Sequence, residues 1–444
     1  MKDINLVQPV QITASGVKWV VTVPAIWTDP AKAFMRTAAL NAGLIDTIQS
    51  DRLQLALEPE AACMACENDA RHLKEGDEFM ILDCGGGTVD ITMHKVVRLK
   101  PLHLDELCIP AGGPWGSTFV DQQFEVLVRK LIGESAFLRF KPSPYWVELM
   151  DTWEIIKTSF ADDESRPRSV NFAPVFEVLE DGVKLVELAE AYNAIHNAGL
   201  KVRGKSTLLF PPELTKGLIL HTVRKIENQV SDLIERNPVG SIFIVGGFAE
   251  SSTLQNRMKS RFSSDSCKVI VPKHPGVAVL NGAVLFGLDK RVFLSRRARL
   301  TYGTSIRKKR SMVHEEKLPP DPDYKIFKQA DGTFVEYVCD IFSEILGRGD
   351  KIQCGETIQS GNYIPTEPNQ RNIFFPLLCV DAPSNTTYHT RGTKQIGTLT
   401  VPISNADESV KIYFSFGETE LCVEARGSSG ISKKLHVDYN FNFI

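Results

Sequence analysis

Nowhere in this 444-residue sequence do 18 apolar residues run together, so it offers no stretch long enough to cross a bilayer as a helix. Its start, Met1-Lys2-Asp3-Ile4-Asn5, lacks the basic segment followed by an apolar core that marks a secretory leader. Neither sign of charge is in excess. With 51 basic against 54 acidic residues the net charge is −3, which excludes a global field drawing in nucleic acid or an anionic membrane. Nine cysteines, an odd number scattered along a long chain, do not make a disulfide framework and read as reduced, buried thiols. Together these absences predict a soluble, cytoplasmic protein with no nucleic-acid partner.

Several signatures are missing as well. No Gly-x-x-x-x-Gly-Lys-Ser/Thr and no Gly-x-Gly-x-x-Gly after a strand occurs, which removes the main support for P-loop and Rossmann nucleotide sites, and the protein-kinase motif set is absent. Cys63-Met64-Ala65-Cys66 has no second pair at zinc spacing and sits in an alanine-rich helical pattern, so packing is its reading. Asn385-Thr386-Thr387 is a sequon that matters only in a secreted chain. Gly347-Arg348-Gly349-Asp350 falls between two strand-like runs and reads as a hairpin turn.

What is present is ordinary globular material, 43% hydrophobic and 24% charged, enough for two to three domains. Val17–Val23 is a β-branched run closed by Pro24. Asp29-Pro30 opens a helix reaching Gly43, with the aspartate as cap. Leu53–Leu57 is strand-like, and Glu58-Pro59-Glu60 starts a helix through Cys66 to Ala70. Phe79–Leu82 is a buried strand. Amphipathic spacing predicts helices over Phe119–Leu138, Trp146–Phe160 and Glu213–Ile234, then a strand Ser241–Val245, a short strand Val269–Val271 and a helix Gly276–Leu288. Alternating strands and helices argue an α/β architecture. Beyond Leu300 only short alternating runs remain, which predicts an all-β tail. The expected organisation is 1–75 and 76–300 as two lobes, a basic, solvated linker over 301–320 flanked by Arg296-Arg297-Ala298-Arg299, and a β-rich domain over 321–444.

The chemistry centres on Asp83-Cys84-Gly85-Gly86-Gly87-Thr88-Val89-Asp90. Glycines directly after a buried strand let backbone N–H groups converge on a phosphate, where a Cβ would obstruct the approach and a positive φ is expected. Thr88 adds a hydroxyl, and Asp83 and Asp90 are placed to hold a hydrated Mg²⁺.

Five ordered blocks make the chain resemble the nucleotide-binding domain of the 70-kDa heat-shock family. They are Val23-Pro24-Ala25 with Gly43-Leu44 and Glu58-Pro59-Glu60-Ala61-Ala62; Asp83 to Asp90; Ala111-Gly112-Gly113-Pro114-Trp115-Gly116; Ile244-Val245-Gly246-Gly247; and His274-Pro275-Gly276-Val277-Ala278 through Gly282-Ala283. The run Gly246-Gly247-Phe248-Ala249-Glu250-Ser251 and the β tail are most similar to the divergent member-12 branch. The resemblance covers roughly residues 17–290 and implies an actin-like (ribonuclease H-like) ATPase domain with an incomplete first lobe. It implies ATP/ADP and Mg²⁺ as cofactors. It assigns Glu58 and Asp83 to the metal and its water, with Asp90 beside them. Gly85, Gly86, Gly87, Thr88 and Gly116 fall to the phosphates; Gly246, Gly247, Glu154 and Lys157 to the nucleoside. Pro24 matches the proline that relays nucleotide state between lobes.

The departures carry equal weight. The family's first phosphate loop, Asp-x-Gly-Thr-Thr, and its catalytic lysine are not found, since only 22 residues precede Val23. The adenine-stacking arginine is replaced by Glu250, and the aspartate after His-Pro by Gly276. Positioning and electrostatic stabilisation are nearly all that phosphoryl transfer requires, so the expectation is nucleotide binding with weak or no hydrolysis. Glu154 and Lys157 equally fit a surface ion pair. A chaperone-like, stress-related nucleotide-binding protein heads the readings, with client or signalling partners taken by the β domain. A non-enzymatic adaptor comes second, and a sugar-kinase relative last. An incomplete gene product is a further expectation.

Overall fold

The structure, a computed structural model, describes residues 16–66, 72–161, 163–179, 182–318, 321–328, 331–365, 370–404, 408–415, 422–430 and 432–436. The expected helix extension to Ala70, Pro319 with Pro320, and residues 1–15 upstream of the first strand lie outside them.

Strand β1 (Trp19–Val23) pairs in parallel with β2 (Leu53–Leu57), in register from Trp19–Leu53 to Val23–Leu57. Parallel neighbours need a crossover, and α1 (Asp29–Asn41) supplies it. Thr28, not Asp29, holds the N-cap position. The Asp29 carboxylate is occupied elsewhere, accepting the Tyr302 hydroxyl at 2.9 Å. Helix α2 (Glu58–Ala65) leaves β2 without a loop, Pro59 fitting its first turn because an N–H there has no helical partner to lose.

Next come β3 (Glu78–Cys84), β4 (Val89–Leu99), β5 (Leu102–Glu106) and β6 (Ala111–Gly113). Helices α3 (Ser117–Ile132), α4 (Glu134–Phe140) and α5 (Pro144–Ser159) follow, then β7 (Arg168–Asn171), α6 (Leu185–His196), β8 (Lys201–Arg203) and β9 (Thr207–Phe210). The long α7 (Pro212–Arg236) leads to β10 (Ser241–Val245), α8 (Ser252–Phe262), β11 (Lys268–Ile270), α9 (Ala278–Leu288) and β12 (Phe293–Arg297). The remaining described strands are β13 (Thr301–Lys309), β14 (Tyr324–Lys328), β15 (Phe334–Leu346), β16 (Lys351–Gln353), β17 (Thr357–Gln359), β18 (Asn372–Val380), β19 (Lys394–Pro402), β20 (Val410–Ser415), β21 (Cys422–Gly427) and β22 (Ser432–His436).

The central mixed sheet runs β11-β10-β3-β4-β5-β12-β16, with β6 also on β4. Both of its faces are covered, which is why β3 reads as an unbroken apolar run. Met80 and Leu82 pack with Phe124, Trp153 and the α7 residues Val223 and Val230, while Phe79 and Ile81 pack with Ala62, Phe243, Val245 and Phe286 on the opposite face. Helices α2 and α9 approach so closely that a Cβ on Gly282 would fall on the Ala61 carbonyl. The molecule is a mixed α/β protein with several sheets. Among the described residues, no helix is long and apolar enough to cross a membrane.

Two expectations about the later chain need correction. Residues 301–309, inside the expected linker, are strand β13, at the centre of the five-stranded sheet β14-β15-β13-β18-β19. The preceding arginines are not solvated either. Arg296 lies in β12 and makes a two-pronged ion pair with Glu60, 1% exposed, at 3.0 and 2.7 Å; Arg297 donates its N–H to Glu106 Oε2 at 2.6 Å; and Arg299 donates to the carbonyls of Ala25 and Trp27. The Gly347–Asp350 segment is a turn but not a hairpin. It passes the chain from β15 to β16, which belongs to the central sheet, and Gly349 sits at φ +90°.

Candidate functional site

The glycine turn is the tip of an antiparallel hairpin. Strands β3 and β4 are in register with Asp83 opposite Asp90 and Cys84 opposite Val89, leaving Gly85–Thr88 as the loop. The Gly85 N–H closes it on the Thr88 carbonyl at 3.0 Å. None of Gly85, Gly86 or Gly87 has a positive φ, so the expected left-handed requirement is absent here. The glycines matter for space. Their carbonyls face the start of α3 and accept N–H donors from Gly116, Ser117 and Thr118 at 3.2, 3.1 and 2.9 Å, while a Cβ on Gly116 would strike the Gly86 carbonyl. With the carbonyls held this way, Gly86 and Gly87 are exposed, no described hydrogen bond takes up their N–H groups, and a Cβ on either would meet nothing within 4 Å. That is an open backbone surface fit for an anion.

Three carboxylates gather behind the turn. Asp83 and Asp90 are 4% and 1% exposed, and Glu58 heads α2. Burial raises the proton affinity of all three. For Asp83 the charges of Glu58 and Asp90 push the same way, and Glu58 is lifted to about 7 by burial and then by Asp90. Asp90 is raised by burial even though the Ile26 N–H, Thr88, the Ala25 N–H and Arg299 pull it down. The Thr88 side chain is thus one of the groups that engage Asp90. Asp90 is also less free for a cation than the sequence implied, since its Oδ1 accepts the Ile26 N–H at 2.9 Å. This bond fastens β4 to the turn that follows Pro24, and Trp27 closes that turn on the Pro24 carbonyl at 3.2 Å. Among the described residues no three His, Cys, Asp or Glu side chains form a direct metal-ligand shell.

The nucleoside side is placed by β10, parallel to β3 with Val245 opposite Asp83. Gly246 follows at φ +91°, where a Cβ would collide with Asp83 Oδ1 and the Cys84 carbonyl, and its N–H goes to the Pro275 carbonyl at 2.9 Å. Gly247 faces open space. The two departures from the family pattern prove to be neighbours, because a Cβ on Gly276 would lie 2.7 Å from Glu250 Oε1. The Glu250 carboxylate occupies the room that the missing side chain leaves at 276.

Glu154 and Lys157 do not form a plain surface pair. Lys157 is 6% exposed and holds Asp121 at 2.8 and 3.0 Å as well as Glu154 at 2.5 Å. Asp121 further accepts the Trp153 indole N–H at 3.0 Å. Asp121 and Ile26 are thus site-supporting residues that the sequence did not single out, and Arg299, read there only as part of a basic linker flank, is a third. Asp121 lies 36 residues from Lys157, on another helix, and no local pattern joins them. The Ser252 hydroxyl reaches the Phe160 carbonyl at 3.1 Å, bringing the Gly246–Ser251 segment beside the end of α5.

No family model matches the chain. Individual proteins do. Human heat shock 70 kDa protein 12A is 30% identical over 491 residues, covering 96% of this chain and 71% of the relative, and the mouse protein of the same name gives the same figures. Human heat shock 70 kDa protein 12B is 29% identical over 502 residues with the same coverage. The chain belongs to the 70-kDa heat-shock protein family, as a divergent relative of its 12A and 12B members.

Proposed function

We propose that the chain binds ATP or ADP with Mg²⁺ in the cleft of an actin-like domain and turns ATP over slowly or not at all, acting as a chaperone-like protein whose C-terminal strands take protein partners. The observation that carries this reading is the conjunction of the exposed Gly86–Gly87 backbone with three carboxylates that repel one another, Asp83 and Asp90 buried and Glu58 half-buried. A hydrated divalent cation held beside these carboxylates would relieve that repulsion. Glu58 and Asp83 would hold its waters, Gly85–Gly87 would face phosphate oxygens, and Gly246 with Gly247 would lie along the nucleoside. Phosphoryl transfer needs donors opposite the glycine loop, and among the described residues no Asp-x-Gly-Thr-Thr loop supplies them.

The adaptor reading has one observation in its favour, the internal engagement of Thr88 and Asp90. Calorimetry with ATP and with ADP, each with Mg²⁺, separates the two. Binding of either at micromolar to low millimolar level supports the proposal; silence with both overturns it. Gly86→Val is a clean control, since its Cβ meets nothing within the fold. It should abolish binding while leaving the melting temperature unchanged, and unchanged affinity would mean that the phosphate lies elsewhere.

A further inference from the structure

Strand β4 runs from the glycine turn at Val89 to Leu99, a span of roughly 30 Å, and there folds back into β5 with Arg98 opposite His103 and Leu99 opposite Leu102. Beside this far hairpin α9 ends, and the chain leading into β12 lies along β5, the Leu104 N–H donating to the Val292 carbonyl at 2.8 Å. Between the hairpin and the end of α9 is a cavity of about 670 Å³, within the range of small-molecule sites, about 300–1,000 Å³. Met64, buried at the end of α2, and the half-buried Leu294 line it from the core. Leu285 and Leu288 line it from α9 and are 41% and 79% exposed. They continue an open stripe, because Leu280 and Val284, 66% and 61% exposed, share the helix face of Leu288 at four-residue spacing. Single exposed leucines are ordinary; a row of them leading into a cavity marks a binding surface.

The two walls differ in charge. On the α9 side Asp289 is already paired, accepting Arg291 Nε at 2.8 Å and Nη2 at 2.9 Å, and the last carbonyls of the helix carry partial negative charge. That wall offers hydrocarbon and repels an anion. On the hairpin side Arg98 lines the cavity and is exposed, and its Nη2 lies 3.2 Å from His103 Nδ1, which can take an N–H only as an unprotonated nitrogen. Among the described residues no carboxylate pairs with Arg98, so its guanidinium keeps donors for a ligand. A guanidinium facing an apolar wall fits an amphiphile with an anionic head and a hydrocarbon tail. We propose that this cavity binds a free long-chain carboxylate, of the fatty-acid class, with its head on Arg98 and its tail along Met64, Leu285 and Leu288. One unpaired guanidinium matches one carboxylate in a two-pronged pair, whereas a doubly charged phosphate head asks for more. A second copy laid stripe against stripe would cover the leucines and leave Arg98 unanswered.

The test uses the full chain and dansyl-undecanoate, whose emission rises in an apolar site, displaced by decanoate, laurate and myristate below the concentrations at which they form micelles. Displacement should report a single site per chain, with affinity rising about threefold for each added methylene. Dodecyltrimethylammonium, with a tail like that of laurate and the opposite charge, should bind at least about tenfold more weakly. Arg98→Glu should lose laurate by about tenfold or more, and Arg98→Lys by less. Leu285→Gln combined with Leu288→Gln should weaken myristate more than decanoate, a loss that grows with the tail. All of these positions are exposed, and the glycine turn lies at the other end of β4, so melting temperature and nucleotide titration should stay those of the parent. Equal binding of the ammonium amphiphile overturns the proposal, as does unchanged laurate affinity in Arg98→Glu or uptake of several laurates per chain. Stronger binding to phosphatidylserine vesicles than to free laurate would assign the surface to a bilayer, and a ligand-free dimer that Leu288→Gln splits would assign it to a second copy; either result overturns the proposal.

Discussion

Asp83 and Asp90 face each other across a hairpin, in register, at the base of a glycine loop. Directly opposed like charges destabilise a strand pair, and burial makes the repulsion worse because solvent no longer screens it. Glu58 brings a third carboxylate to the same place. Such an arrangement is held by the surrounding fold and released by a proton or a cation.

The sign of the pH effect follows. Glu58 has its folded pKa raised from 4.5 to about 7, so the folded state binds its proton more tightly than the unfolded chain does. The stabilisation is complete below pH 4.5 and is lost as pH rises to about 7. After discounting for its partial exposure, Glu58 alone should account for about 1–2 kcal/mol across that window. Glu58→Gln should flatten this part of the metal-free stability curve, measured by urea unfolding at stepped pH, and millimolar Mg²⁺ with ADP should flatten it too. A slope that survives Glu58→Gln unchanged would assign the effect to other groups.

Gly246 makes a second prediction, because it combines a positive φ with contact against Asp83. Gly246→Ala places a methyl on Asp83 Oδ1 and strains the backbone, for a loss of about 2–4 kcal/mol. The same change at Gly247, which faces open space, should cost less than about 1 kcal/mol. Thermal unfolding of the two variants side by side measures the difference.

Arg296 and Glu60 give a third. The pair joins β12 to α2, with Glu60 1% exposed. Removing one partner strands a buried charge, so Arg296→Met should destabilise by about 3–5 kcal/mol, and Arg296→Met with Glu60→Leu should recover most of it. Chemical denaturation of the two single variants and the double variant closes the cycle.

These residues show where sequence reading succeeds and fails. The run Phe79–Leu82 into the glycine loop is legible because apolar continuity and glycine spacing are local signals, and so is α7, whose apolar face keeps one period over 25 residues. Arg296 read as solvated because charge density was all that could be seen; its partner lies 236 residues away. Asp90 read as free for a ligand because nothing local shows that the Ile26 N–H would come within 2.9 Å of it. The hairpin itself stayed hidden, since a buried strand ending in glycines gives no sign of whether the chain folds back or crosses over. Local order is thus readable, and pairings of high sequence separation are not.

Glu250 and Gly276 supply the last prediction. Their contact means that neither departure can be reversed alone. In Gly276→Asp a new carboxylate would meet Glu250 Oε1, two like charges in one small space, so this variant should melt lower and bind ADP no better than the parent. In Glu250→Arg the guanidinium has no acid at 276 to hold it over a base, so its gain should be small. With both changes the two side chains can pair, and the arginine is fixed where it can stack on adenine. The double variant should bind ADP about 3- to 10-fold more tightly than the parent, a range set by one partly desolvated cation–π contact. GDP, titrated in parallel by calorimetry, should gain less. Equal gains for both nucleotides would show that charge alone was restored, and no gain for either would place the base away from Glu250.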